Sequence, residues 1–386
     1  MNRKTGITLF CATAFLQGMV FYGPIATLYR QARGVSVFQI TLIESISLVC
    51  LIALEIPWGC VADRIGYRRT LIVCNVIYFL SKIVFWRAAG FGGFLLERLM
   101  LSVVLSGFSG CDSAYLFSLA GEGESQKAFG AYEASATAGL IAASLLFSTA
   151  VGGDFGAAGF LTVLSYGAAM VLTFFLPEVP PPARRSAGFG ARAGEAAREV
   201  WSGRRFLLFL VAAALLTESN QTITVFLSQL QYVRAGVPAR AMGYLFIPLT
   251  LMGLFAARSH RLTARLGEGR ALSGLFLLGA LSCGLLAAAE SPLLSVAGIL
   301  ALRLSASVFA PIGMEIQNRQ VRSCGRATML SVYSSVMNLA AAGAGLIFGR
   351  LAEGGVERAM AAGAGFCTAG LLLCALWRRG SEGAAG

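Results

Sequence analysis

Twelve runs of about 20 predominantly apolar residues, each long enough to cross a bilayer as a helix, follow one another through this 386-residue chain. In the first half they read as 7–29, 39–61, 70–89, 93–119, 128–150 and 157–177. In the second they read as 205–230, 241–259, 271–289, 292–316, 326–349 and 356–377. Hydrophobic residues make up 56% of the chain and charged residues only 13%, against roughly a quarter charged in a soluble domain. A soluble core of this length could not hide so much apolar surface, so lipid must be the solvent for most of it. The runs are continuous and rich in Leu, Ala and Gly, without the ten-residue alternation of barrel strands. They therefore predict an all-α integral membrane fold of twelve transmembrane helices. Arg3 and Lys4 precede the first run as they would in a signal peptide. That run is long, contains Gln17 and Pro24, and is followed closely by a second, so it is read as retained.

The net charge of +12 is distributed as a topology signal, not as a nucleic-acid surface. With both termini placed in the cytoplasm, 21 of the 31 basic residues fall on the inner side, seven on the outer side (Arg30 among them) and three within spans: Lys82, Arg98 and Arg303. This is the positive-inside pattern, and it predicts a multi-pass protein of the inner or plasma membrane. The nine cysteines lie in spans or at their ends without a CxxC pair, and read as small apolar packers. A single histidine, His260, argues against a metal site or histidine-centred catalysis. No GxxxxGK[ST] loop is present to hold ATP. The chain is therefore expected to be no enzyme and to need no cofactor. Its expected partners are a small-molecule substrate, protons and the bilayer, and it is expected to act as a monomer.

The long polar, proline-rich connection 178–204 divides six spans from six. This predicts an N-terminal bundle over 1–177 and a C-terminal bundle over 205–386, the arrangement of a duplicated transporter fold. Two internal echoes support it. "DRIGYRRTL" at 63–71 matches "ARLGEGRAL" at 264–272, and the Arg-Leu pairs at Arg98 and Arg303 each precede a polar residue fourteen positions on, Asp112 or Gln317.

On these residues the chain resembles the major facilitator superfamily. Its signature G-x-x-x-D-R-x-G-R-R/K is met by Gly59, Asp63, Arg64, Gly66 and Arg68, with Tyr67 where a basic residue is usual. "ALEIPWGCVADRIGYRR" and "SGCDSAYL" are similar to a large group of bacterial transporters often described as efflux proteins. The glycine repeat ending in Gly-Pro that marks antiporters is not evident in "GLIAASLLFSTAVGG". The resemblance implies two pseudo-symmetric six-helix bundles and a conformational latch between spans two and three. There Gly59 would allow close helix approach, Asp63 would face the N-terminus of span eleven, and Gly66 would form the turn. Arg64, Arg68 and Arg69 would hold the turn inside and pair across the bundle interface.

Ionisable groups inside spans cost about 3 kcal/mol each on insertion scales, so their positions are informative. Glu44 and Glu55, eleven residues apart, share a face of span two to within roughly 20°. A stripe on span four carries Arg98, Ser102, Ser109 and Asp112; one on span seven carries Glu218, Thr222 and Gln229, with Asn220 and Gln221 adjoining. Span ten adds Arg303, span eleven Asn338, span five Glu133 and span one Gln17. Hydroxyls in such stripes often bond their own helix, and polar stripes can serve as glue between helices. The mid-span charges Glu44, Glu218, Arg98 and Arg303 exceed what packing needs and point to a polar cavity. Glu55, Asp112 and Glu133, nearer the helix ends, suit gating as well as binding. Lys82 sits at the depth of Glu44, so a structural Glu44–Lys82 pair is a further expectation.

A carboxyl in a low-dielectric cavity can be tuned to load and release a proton near neutral pH. Glu218 is the first candidate for that role and Asp112 the second, with Arg98 and Arg303 available to neutralise them or to hold an anionic substrate. These features predict a secondary active transporter working by alternating access. Because the buried acids outnumber the buried bases, proton-coupled efflux of small amphipathic or cationic compounds leads. Proton-coupled uptake of a polar or anionic metabolite is the alternative, and a transport-inactive receptor or scaffold on the same fold is a further one.

Overall fold

Each apolar run is a helix, because in hydrocarbon a backbone can satisfy its polar groups only within itself. The computed structural model describes residues 3–109, 111–121, 124–179, 204–321 and 326–382, the side chains of 55–56, 59–60, 62–64, 326–328 and 380–382 excepted. We number the helices α1 Arg3–Ala32, α2 Val37–Ile65, α3 Tyr67–Arg87, α4 Gly90–Ala120, α5 Ser125–Val151 and α6 Phe155–Phe174. They continue as α7 Arg204–Arg234, α8 Ala239–Leu266, α9 Glu268–Ala288, α10 Pro292–Gln320, α11 Arg326–Glu353 and α12 Val356–Glu382. No strand occurs among the described residues. Most of the connection 178–204 lies outside them.

Several helices are interrupted where the sequence removes a backbone donor or a side chain. α1 unwinds after Gly18 and re-forms at Ala26 through a tight 3₁₀ turn holding Pro24, a residue with no N–H to give. α8 carries Pro248, after which Met252–Arg258 winds as 3₁₀ before the α-helix resumes at Ser259. Two segments widen into π-helix, Phe147–Val151 at the end of α5 and Thr222–Leu227 in the middle of α7. Local caps set other boundaries. Asp154 accepts a hydrogen bond from the Ala157 N–H at 3.0 Å to start α6, and Ser291 accepts from the Leu294 N–H at 3.3 Å to start α10, both N-cap residues.

The two echoed turns have the same geometry. Gly66 (φ 86°, ψ 157°) separates α2 from α3, and Gly267 (φ 79°, ψ 152°) separates α8 from α9. Both lie in a region open in practice only to glycine.

The chain forms two compact units. The first comprises Met1–Ser36, Ile46–Arg185 and Ala239–Thr250; the second comprises Val37–Ser45, Ser186–Pro238 and Leu251–Gly386. α2 and α8 are thus each shared between units. In the first unit α1 and α5 cross at small residues: a side chain at Gly18 would meet the Ala136 carbonyl, and one at Gly139 the Phe15 carbonyl. In the second unit α9 and α12 approach through Gly279, Gly363 and Gly370, against Cys367, Cys283 and Phe276 respectively. Small residues that admit close backbone approach are the usual basis of helix packing in lipid.

Candidate substrate and proton sites

In the second unit, the α7 stripe delivers Glu218 to a half-buried position at the start of the π segment. Its Oε1 accepts a hydrogen bond from the Thr222 hydroxyl at 2.5 Å. The first turns of α2 pack beside it: the Ser45 hydroxyl donates to the Ala342 carbonyl of α11 at 3.0 Å, and Thr41 packs against Gly349. Glu44 on the same turns lies within electrostatic range of Glu218. Gly345 of α11 leaves room for the carboxylate, since a side chain there would touch Glu218 Oε1. No basic side chain forms an ion pair with Glu218 among the described residues. Arg303 of α10 extends its guanidinium toward Gly253, within the 3₁₀ stretch of α8.

The other candidates on this unit divide. Gln229 is buried and its amide donates to the Val225 carbonyl of its own helix at 3.1 Å. Gln221 is exposed and Asn338 half-buried. Asn220, which adjoins the stripe, is buried with an Oδ1 that accepts no hydrogen bond among the described residues.

In the first unit the main polar cluster is one the sequence reading placed differently. Lys82 does not take the expected Glu44 as its partner. It pairs with Glu97 of α4 at 3.8 Å, and Arg30 of α1 pairs with the same carboxylate at 3.8 Å. The three side chains are almost wholly buried, so Arg30 is an interior charge and not an outer-loop one. The Lys82 ammonium donates to the Tyr22 hydroxyl at 3.1 Å and lies over the rings of Tyr78 and Tyr166 at 4.9 and 5.0 Å. Such rings offset part of the desolvation of a cation. Glu97 was legible within run 93–119, directly before Arg98, as an acid one helical turn into the run. With it and Arg30 inside, and with Asp112 and Glu133 near helix ends, the interior charges among the described side chains are four bases (Arg30, Lys82, Arg98, Arg303) and three acids (Glu44, Glu97, Glu218), Glu55 lying outside them.

Arg98 is half-buried and within electrostatic range of Lys82, Tyr22 and Tyr78. Gln17 donates to Asn75 Oδ1 of α3 at 2.5 Å, and its carbonyl accepts from the Tyr166 hydroxyl of α6 at 2.6 Å. The Ser47 and Ser102 hydroxyls bond each other at 2.8 Å, joining α2 to α4 as interhelical glue.

Asp112 is not a partner of Arg98. It lies fourteen residues on, about 21 Å along a helix, past Phe108, where the first helical stretch of α4 ends. There it accepts from the Ser113 N–H at 2.6 Å and begins the Cys111–Ala120 segment. Together with exposed Glu133 and with Tyr132 it lines a small crevice of about 30 Å³.

Of the turn residues, Gly66 makes the α2–α3 bend, and Arg69 is exposed. Arg68 reaches back along its own unit. Its Nε donates to the Leu176 carbonyl at 2.6 Å and its Nη2 to the Phe174 carbonyl at 2.8 Å, capping the end of α6. In the echoed turn Gly269 stands at that position, and the Arg378 guanidinium from the end of α12 fills the space over it. Gly59, Asp63, Arg64 and Glu55 sit on the last turns of α2, and their side chains lie outside the described residues.

Helical interruptions beside interior charges, on a scaffold of twelve spanning helices, define a solute transporter of the membrane-embedded type. The chain belongs to the Major Facilitator Superfamily, whose family model matches residues 8–287. Among solved structures, the nucleoside transporter NupG superposes with a TM-score of 0.82 at 16% identity, covering 97% of this chain and 99% of that one. The POT family transporter PepTSo gives a TM-score of 0.72 at 15% identity, over 98% of each chain. The human organic anion transporter MFSD10 gives 0.62 at 16% identity, over 97% of this chain and 100% of that one. At these identities the likeness is one of fold. No curated protein matches the chain significantly in sequence.

Proposed function

We propose that the chain is a proton-coupled secondary transporter that moves a small polar metabolite by alternating access, with Glu218 as the proton-carrying group. The observation that carries this reading is the Glu218 carboxyl itself. It is held within a membrane-spanning helix by a 2.5 Å bond from Thr222, beside a second acid, Glu44, and with no ion-paired base among the described residues. A carboxyl so placed is costly to keep charged in a low dielectric and can be relieved by a proton or a cationic solute. The π segment that starts at Thr222 adds a backbone irregularity of the kind found at functional sites.

A half-buried cation, Arg303, lies in the same unit as Glu218, and it favours a polar or anionic metabolite over a cationic amphipath. The solute classes named for the structural relatives (nucleosides, peptides and organic anions) are the first to test. Efflux of small amphipathic or cationic compounds is the second reading, favoured by the proximity of Glu44 and Glu218. Purified protein in liposomes containing a pH-reporting dye distinguishes them. A transported solute should drive proton movement in the wild type; Glu218→Gln should abolish proton movement while retaining solute counterflow. Proton movement that persists in Glu218→Gln would refute the assignment, and movement driven only by cationic amphipaths would select the second reading.

A further inference from the structure

Where α8 ends, the sequence places Arg258, Arg261 and Arg265 at spacings of three and four, which brings them onto one face of a helix. In the second unit this face borders a groove of about 540 Å³ between the end of α8 and helices α9 and α10, a volume within the range of roughly 300–1,000 Å³ typical of small-molecule sites. Leu275, Leu278 and Val308 form its apolar floor, and the three arginines stand along one edge. No acidic residue lines it. None of the three arginines forms an ion pair among the described residues, although Arg258 lies over the Phe255 ring at 5.0 Å. Three like charges on adjacent turns repel one another, and an anion at their common edge would relieve that repulsion.

We propose that this groove binds an anionic phospholipid from the leaflet on the side of the chain termini. The phosphate would be held by Arg261 and Arg265, the acyl chains would lie over the apolar floor, and Arg258 would cover the headgroup. The charge complement selects an anionic headgroup, because basic pockets between spanning helices attract such lipids. The apolar floor selects a lipid over a free anion, since the greater part of the groove can exchange water only for hydrocarbon. The groove lies wholly in the second unit and includes none of the residues assigned to substrate or proton.

The test is the thermal unfolding midpoint of the full-length protein, purified in an uncharged detergent and delipidated. It is measured after adding dioleoylphosphatidylglycerol, dioleoylphosphatidylcholine or inorganic phosphate. Phosphatidylglycerol should raise the midpoint well above the other two additions. Two variants should lose that difference: Arg261→Gln with Arg265→Gln, which removes the anion ligands, and Gly274→Leu, which fills the groove and keeps the charge. Gly274 lines the groove, and a Cβ there meets no atom within 4 Å, so the added side chain starts from open space. Arg87→Gln, at an exposed outer position, should retain the difference. An equal shift from phosphatidylcholine, an equal shift from inorganic phosphate, or a lipid-specific shift that survives either groove variant overturns the proposal.

Discussion

At Glu97 one carboxylate stands between two buried cations, Lys82 and Arg30, each 3.8 Å away. Removing one member of a buried charge network leaves the others uncompensated, a loss of about 3–5 kcal/mol in soluble hosts. Replacing a pair together can be nearly neutral. Glu97→Gln should therefore lower the thermal midpoint sharply, and adding Lys82→Met to it should recover part of the loss, giving a non-additive cycle. Additive effects would show that the two groups do not interact. This cluster was only half legible in the sequence. Lys82 announced itself as a charge inside an apolar run, but depth along neighbouring helices pointed to Glu44. Its true partner depended on how α3, α4 and α1 rotate against each other, which span lengths do not encode. The turn glycines were fully legible, because a left-handed φ at Gly66 and Gly267 follows from a tight bend that no other residue tolerates.

Spanning helices were readable because a run of 20 apolar residues needs only length and composition to be recognised, and hydrocarbon permits no other open fold. Their interruptions were readable only where the chemistry is local. Pro24 and Pro248 mark the breaks in α1 and α8, whereas the π segments of α5 and α7 carry no residue that dictates them. The crossing of α1 and α5 shows the same divide. Glycines are frequent in this chain, and nothing in the sequence distinguishes Gly139 from Gly130; in the structure a side chain at Gly139 collides with the Phe15 backbone, while one at Gly130 meets nothing. Gly139→Leu should therefore force α1 and α5 apart and lower the thermal midpoint by several degrees, whereas Gly130→Leu should leave it near the wild type. Backbone cannot give way as a flexible side chain can, so an unchanged midpoint for Gly139→Leu would mean that the crossing is not close-packed.

Across the whole molecule the charge pattern, with Arg30 withdrawn from the outer set, predicts cytoplasmic termini. Several outer bases are locally engaged: Arg234 pairs with Glu290 and Glu357 at 3.8 and 3.4 Å, Arg350 pairs with Glu353 at 3.0 Å, and Arg240 donates to the Ser148 carbonyl at 2.9 Å. On the other side Arg258, Arg261 and Arg265 form no ion pair among the described residues, while Arg68 pairs with Glu178 and Arg319 with Glu268; the number of Lys and Arg in the short turns, not their pairing, is what sets orientation. The turns at Gly66 and Gly267 share one backbone geometry, and in the duplicated chain we propose, with halves at 1–177 and 205–386, corresponding turns share a side because each half has an even number of spans. Orientation is then one binary property set by the whole chain, testable with fusions in a bacterial host. A green fluorescent protein after Gly386 should fluoresce and alkaline phosphatase at the same place should be inactive, while phosphatase inserted at Gly153, in the α5–α6 turn, should be active. The reverse pattern would place the arginine-lined groove and the Gly66 turn on the outer face and would overturn the charge argument as a whole. An active phosphatase at both sites would refute the odd number of spans that twelve helices place between the α5–α6 turn and the C-terminus, because Gly386 lies seven helices beyond that turn and must emerge on the opposite side.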